Sequence, residues 1–174
     1  MHGPEQDGSP GRRADSLVPM DQPGRARALD AAASRGLDVE VVPLPRVESL
    51  EQAAEALGVT PRDVVKTLVV KRSDDTFVLV LVPGDRQIAW PKLRSLLGAN
   101  RLQLPDAEVA LAATGYARGT ITPLGALGDW PVVCDASLAG RTVCLGVGER
   151  GWMARVAADD LVRAYDATVA DVTG

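Results

Sequence analysis

A chain of 174 residues with a hydrophobic fraction of 46% is long enough to bury a core as one domain, and its formal charge of -4 argues against a long basic surface for gripping nucleic acid. No apolar run approaches the ~20 residues of a membrane helix, and the N-terminus lacks the apolar stretch of a secretory signal, so the cytoplasm is the expected location. The single histidine, His2, lies in a tail expected to be disordered. This excludes Ser-His-Asp and Cys-His nucleophiles and the usual histidine-bearing zinc sites, leaving chemistry to lysine, carboxylates, hydroxyls, backbone amides or the substrate itself.

Residues 1–21, rich in Gly, Pro, Ser and charge, read as a disordered leader, and residues 22–174 as one folded domain. From about Pro23 the pattern ARALDAAASRG is helical and stops at Gly36; LDVEVVPLP then alternates as a strand. Ser49 caps a second helix, SLEQAAEALG, closed by Gly58. The β-branched runs VVKTLVVKR and FVLVLVP, joined by the acidic turn SDDT, form the clearest hairpin. PKLRSLL, with Pro91 in its first turn and Gly98 at its end, is a helix, RLQLP a short strand, and Asp106 is placed to cap a helix in AEVALAA. After the glycine-rich segment TGYARGTITPLG come three strand candidates, WPVVCD, RTVCLGVG and WMARV, before the helix DDLVRAY. Cys134 and Cys144 sit inside two of these strands, where small reduced core residues are expected. Hairpin-linked strands with irregularly placed helices give a mixed α/β (α+β) fold with a largely antiparallel sheet.

Lys66 is the odd residue in VVKTLVV. On a period of two it shares a face with Val64, Leu68 and Val70, so it either enters an enclosed space or marks the start of the strand. In residues 114–125 the pattern G-x-x-x-P from Gly119 to Pro123 is weak alone. Its neighbouring glycines allow consecutive backbone amides to form a nest for a carbonyl oxygen or anion. Gly146, Gly148 and Gly151 follow a strand as a hairpin turn would, with the wrong spacing for a dinucleotide fingerprint. Arg62, Lys66, Lys71, Arg72, Arg118 and Arg150 form either a small phosphate-contacting cluster or a solvated face.

The order EAA-helix-LG, KTL strand, VPGDRQI, KLRSLLGA, TGYxxGxxxP, a VxxD strand and GxRG resembles the YbaK/ProX aminoacyl-tRNA editing superfamily, which includes the insertion domain of bacterial prolyl-tRNA synthetases. The resemblance runs from about Leu37 to Asp160. It implies a sheet curled into a barrel-like core with surrounding helices, and a free-standing hydrolase for the ester of a mischarged tRNA carrying a small amino acid, of the Cys- or Ala-tRNA(Pro) type. In those terms Lys66 and Gly119 are the catalytic positions, and Thr67, Tyr116, Thr120, Pro123, Asp135, Gly146, Gly148 and Met153 are substrate-binding or pocket-shaping ones. No cofactor and no metal are implied. The implied partner is mischarged tRNA, with a prolyl-tRNA synthetase as a second candidate; monomer and homodimer stay open, as does the choice of water or a substrate group as nucleophile. The chain departs from the pattern at Leu44, Gly146 and Met153, where the family shows a tyrosine, a serine and an acid, which argues against strict cysteinyl-tRNA specificity. A non-catalytic homologue that binds an aminoacyl or nucleotide ligand, or a synthetase, is the alternative.

Overall fold

The computed structural model describes residues 24–174; the leader, residues 1–21, and His2 lie outside the described residues. Helix α1 (Gly24–Ser34) leads to β1 (Glu40–Pro43) and α2 (Leu50–Leu57). Ser49 caps α2 by accepting from the Gln52 N–H, Gln52 reciprocates by accepting from the Glu48 N–H, and Gly58 ends the helix at φ +72°. The hairpin of β2 (Lys66–Arg72) and β3 (Phe77–Val82) follows, then α3 (Trp90–Leu97), β4 (Leu102–Gln103) and α4 (Ala107–Thr114). Asp106 stands at the N-cap position of α4 but its side chain makes no capping hydrogen bond. The chain ends with β5 (Val132–Asp135), β6 (Thr142–Gly146), β7 (Trp152–Ala157), α5 (Ala158–Tyr165) and β8 (Thr168–Ala170).

These strands form two sheets. One has the order β4-β2-β3-β5-β8, antiparallel except for the parallel pairs β3/β5 and β5/β8; the other is the antiparallel β1-β7-β6. The mixed, largely antiparallel reading therefore holds, while the barrel-like closure does not. The sheets meet at a single parallel bridge, Val64 with Cys144, where the Val65 N–H donates to the Cys144 carbonyl at 2.8 Å. β8 carries no strand signature in the sequence, because its three residues are mostly exposed and show no alternation.

Apolar periodicity explains the layering. Val65, just before β2, and the odd-numbered β2 and β3 residues Val69, Phe77, Leu79 and Leu81 face the smaller sheet and its Val143, Leu145, Ala154 and Val156. Even-numbered Val70, Val78, Val80 and Val82 pack under Leu93 of α3. Strand β3 is thus buried on both faces, which is why it reads as a continuous apolar run. Helix α2 covers the outer face of the smaller sheet with Ala54 and Leu57 against Val64 and Cys144. Both cysteines are buried and free, and burial, then nearby carboxylates, push the Cys134 thiol up to about 11.

Candidate active site

Strand β2 has an incomplete partner on one edge. Upstream it touches β6 at Val64 and Val65; downstream it pairs with β4 only through Lys71 with Gln103 and Arg72 with Leu102. Between those contacts the edge from Lys66 to Val70 has no strand beside it among the described residues. A cavity of about 430 Å³ occupies this gap, walled by Val65 to Val69, by the end of β6 at Gly146, by Met153 of β7, by Leu104 and Pro105 beyond β4, by Ala110 of α4, and by Arg118, Gly119 and Ile121. Unpaired strand edges present backbone donors and acceptors to whatever occupies the space beside them.

Lys66 opens β2 on the face shared with Leu68 and Val70, and its half-buried ammonium donates to the Arg86 carbonyl at 2.9 Å. That carbonyl is itself held in place. The Arg86 guanidinium donates to Thr173 Oγ1 at 3.1 Å, and Thr173 Oγ1 donates to Asp135 Oδ1 at 3.1 Å. One residue on, Thr67 faces the gap, and its Oγ1 is buried with no hydrogen-bond partner among the described residues. An orphaned buried hydroxyl costs roughly 1–3 kcal/mol, so this one is available to hydrogen-bond whatever enters the cavity.

The loop after α4 is built from its base upward. Tyr116 is buried, its hydroxyl donates to the Leu124 carbonyl at 2.6 Å, and the Arg27 guanidinium lies 4.3 Å from its ring centroid. Burial raises the Tyr116 phenol above its ordinary value, opposed by Arg27. Thr120 Oγ1 donates to the Ala117 carbonyl at 2.8 Å, and the Thr120 carbonyl accepts from the Gly148 N–H at 3.0 Å. These ties leave Gly119 at the exposed apex at φ +92°, its N–H without a partner among the described residues. Arg150 donates to the Arg118 carbonyl at 3.2 Å and closes the outer side. Opposite, a methyl group on Gly146 would come within 2.9 Å of the Ile121 carbonyl, so only glycine lets β6 end against this loop.

Of the ten candidate residues, Lys66, Thr67, Gly119, Gly146 and Met153 line the cavity. Tyr116, Thr120, Pro123 and Gly148 do not. The first two hold the loop through the bonds just described, Pro123 is buried beside the cleft of Trp130 and Tyr165, and Gly148 packs against Tyr116. Asp135 needs correction as a pocket carboxylate. It is 1% exposed, and its two oxygens accept from the Val172 N–H, Thr173 Oγ1, the Ser137 N–H and Ser137 Oγ, so it ties the C-terminal segment to β5. Of the candidate cation cluster, Lys66 and Arg118 reach the cavity, whereas Arg62 is paired with Asp85 at 3.4 Å. The apolar wall of Ala110, Ile121, Leu104 and Pro105 escaped the sequence reading, because loop and helix residues carry no pattern that announces a shared surface. No carboxylate, thiol or imidazole is among the lining residues.

The model of the aminoacyl-tRNA editing domain family matches residues 45–164, the greater part of the chain. The protein belongs to that family. Among curated relatives, the proline-tRNA ligase of Thermosipho africanus is 44% identical over 88 residues, covering 51% of this chain and 16% of the ligase. That of Desulfitobacterium hafniense is 38% identical over 115 residues, covering 64% and 19%. This editing domain therefore spans about a fifth or less of the length of the ligases it matches. A crystal structure described as a candidate trans-editing enzyme for prolyl tRNA synthetase superposes with a TM-score of 0.81 at 28% identity, covering 88% of this chain and 98% of that one. A hypothetical protein of known structure gives 0.79 at 27% identity, covering 85% and 99%. Near-complete coverage of those chains makes the editing domain's mixed fold that of the structural relatives. No helix among its described residues is long and apolar enough to cross a membrane.

Proposed function

We propose that residues 22–174 act as one free-standing aminoacyl-tRNA deacylase, hydrolysing in trans the ester of a mischarged tRNA that carries a small amino acid, of the alanyl- or cysteinyl-tRNA(Pro) type. The observation that carries this reading is the gap in the β2 ladder. Two cationic side chains, Lys66 and Arg118, one orphaned hydroxyl and one free backbone amide border an otherwise apolar space there.

The chemistry follows from the bond. Water adds to the ester carbonyl, and negative charge moves onto the carbonyl oxygen, where the Gly119 N–H and the Lys66 ammonium are the available donors. Collapse of that intermediate breaks the bond to the ribose oxygen, which takes the proton that water gave up; the products are the free amino acid and uncharged tRNA. Because the lining offers no side-chain base, the proton is taken by the neutral α-amino nitrogen of the substrate, or is relayed through the neighbouring ribose hydroxyl to the departing oxygen. Thr67 Oγ1 is suited to the amino group, and Val65, Val69, Ile121 and Met153 to a small apolar side chain. A prolyl-tRNA synthetase is the candidate docking partner, from the likeness to its relatives' inserted domain.

The test is a deacylation panel of alanyl-, cysteinyl-, seryl- and prolyl-tRNA with the purified full chain. Hydrolysis of alanyl- or cysteinyl-tRNA, with prolyl-tRNA spared, is expected. No turnover on any of the four would replace the enzyme by a homologue that only binds aminoacyl ends. That reading draws on the Lys66 ammonium being already engaged by the Arg86 carbonyl.

A further inference from the structure

Six arginines among the described residues, Arg25, Arg35, Arg62, Arg141, Arg155 and Arg163, have a carboxylate within 4 Å. Four other cations converge on a second pocket, of about 380 Å³, beyond the far end of β4. Lys71 and Arg72 come from the end of β2, Arg94 from the last turn of α3, and Arg101 from the residue before β4, with Asn100 and Gln103 between them. No carboxylate lines this pocket. Arg72 donates to the Leu97 carbonyl at 3.4 Å, and Lys71 reaches out to Asp75, which is 84% exposed. The guanidinium groups of Arg94 and Arg101 have no hydrogen-bond or ion-pair partner among the described residues. Arg94 and Arg101 thus stand unneutralised beside amide side chains, a donor set that suits an anion.

The same short pairing that opens the first cavity creates the second pocket. Because β4 meets β2 only at Lys71 and Arg72, the Lys66 edge lies free on one side of that contact and the cationic pocket on the other. Lys71 lies five residue steps along the strand from Lys66, a distance of about 17 Å at ~3.3 Å per residue. A strand of stacked nucleotides rising ~3.4 Å each covers that in roughly five residues.

We infer that this pocket is a binding site for backbone phosphates of an RNA strand whose 3' end lies in the cavity at Lys66. The inference rests on the deacylase reading and adds where the RNA leaves the site. It also accounts for how an acidic protein holds tRNA: through a few unpaired arginines rather than a broad basic face.

Arg94→Ala combined with Arg101→Ala tests it, with two readouts. In the first, alanyl-tRNA and the alanyl ester of adenosine, which is too short to reach the pocket, are compared as substrates. The double variant should raise KM for alanyl-tRNA by about tenfold, leave its kcat within about twofold, and leave hydrolysis of the short ester unchanged. In the second, binding of uncharged tRNA is titrated between about 50 and 200 mM salt. The slope of log affinity against log salt should lose about 1.4 to 1.8 units for two phosphate contacts removed. Arg101→Ala alone, at an exposed loop position, should lose about half of that and guards against a folding defect in the double variant. An unchanged slope and unchanged KM would overturn the site, as would equal damage to the short ester. Loss of hydrolysis of both substrates by the parent protein would instead sink the deacylase reading, and the salt titration would still decide on the pocket.

Discussion

Gly119 and Gly128 belong to the same loop and share a backbone state, φ +92° and +86°, yet their surroundings are opposite. A methyl group on Gly119 would meet only the mobile end of Arg150, at 3.4 Å. On Gly128 it would overlap the Trp130 indole, whose Nε1 donates to the Ala113 carbonyl at 2.8 Å and whose ring meets Phe77 edge-on at 5.1 Å. One glycine faces an open cavity and the other, though exposed, is pressed against a half-buried indole at the edge of the core. Positive φ therefore says that glycine is required and nothing about why; the neighbours decide whether the requirement serves a site or a fold.

The largest expected effect comes from the cation across the cavity from Gly119. Lys66→Ala should cut kcat/KM for the preferred aminoacyl-tRNA by about 10²–10³-fold, the scale of losing one oxyanion donor, with the melting temperature within a few degrees of the parent. Near-normal turnover would remove Lys66 from the site, and a collapsed melting transition would make it structural.

The glycine pair itself comes next. Gly119→Ala should lower the rate per folded molecule by about 10- to 100-fold, through steric obstruction and a displaced amide, and cost about 1–2 kcal/mol from the left-handed backbone state. Gly128→Ala should reverse the balance. Displacing Trp130 as well as straining the backbone costs about 2–3 kcal/mol, read as a fall in melting temperature, while the rate per folded molecule stays at the parent value. If both variants lose rate equally at matched folded fraction, the cavity wall and the packed turn are one unit and the comparison fails.

The smallest effect belongs to an ion pair on neither side of that comparison. Burial raises the Asp63 carboxyl, but hydrogen bonds from Arg141 and Thr60 outweigh it and hold the group below its usual value. The Arg141 Nε lies 2.6 Å from Asp63 Oδ1. A lowered folded value stabilises the protein above the ordinary carboxylate range, and the contribution is lost as pH falls through that range toward the lowered value. Asp63→Asn should thus cost about 0.5–1 kcal/mol at pH 7, and the deficit should shrink below about pH 4 in denaturant titrations. A deficit independent of pH would mean that shape, not charge, is lost.

Much of the fold was legible because its signals are local. The SDDT hairpin, the Ser49 cap and the glycine stops at Gly36, Gly58 and Gly98 follow from residues within one turn of the feature they set. The candidate site was only half legible. Lys66 and Gly119 stood out as a charge on an apolar strand and a glycine in a polar loop, and both reach the cavity. Asp135 carried the same outward mark, a polar residue ending a strand, but it serves Val172 and Thr173 from the far end of the chain. Tyr116 sits in the loop motif and yet points its hydroxyl into the core. A side chain's partner across 38 residues of sequence leaves no trace in its own neighbourhood.

The sequence alone determined the order of strands and helices as far as α5, the family, and the presence of a lysine and a glycine fit for ester chemistry, because propensity, capping and alternation act over a few residues. Only the tertiary structure decided that β2 is left unpaired between its contacts with β6 and β4, and that Arg94 and Arg101 come to lie beside Lys71. Both depend on where a two-residue strand docks, and a pairing so short has too little pattern of its own to specify its register; packing of Leu102 against the cluster of Leu93 and Val70 holds it in place.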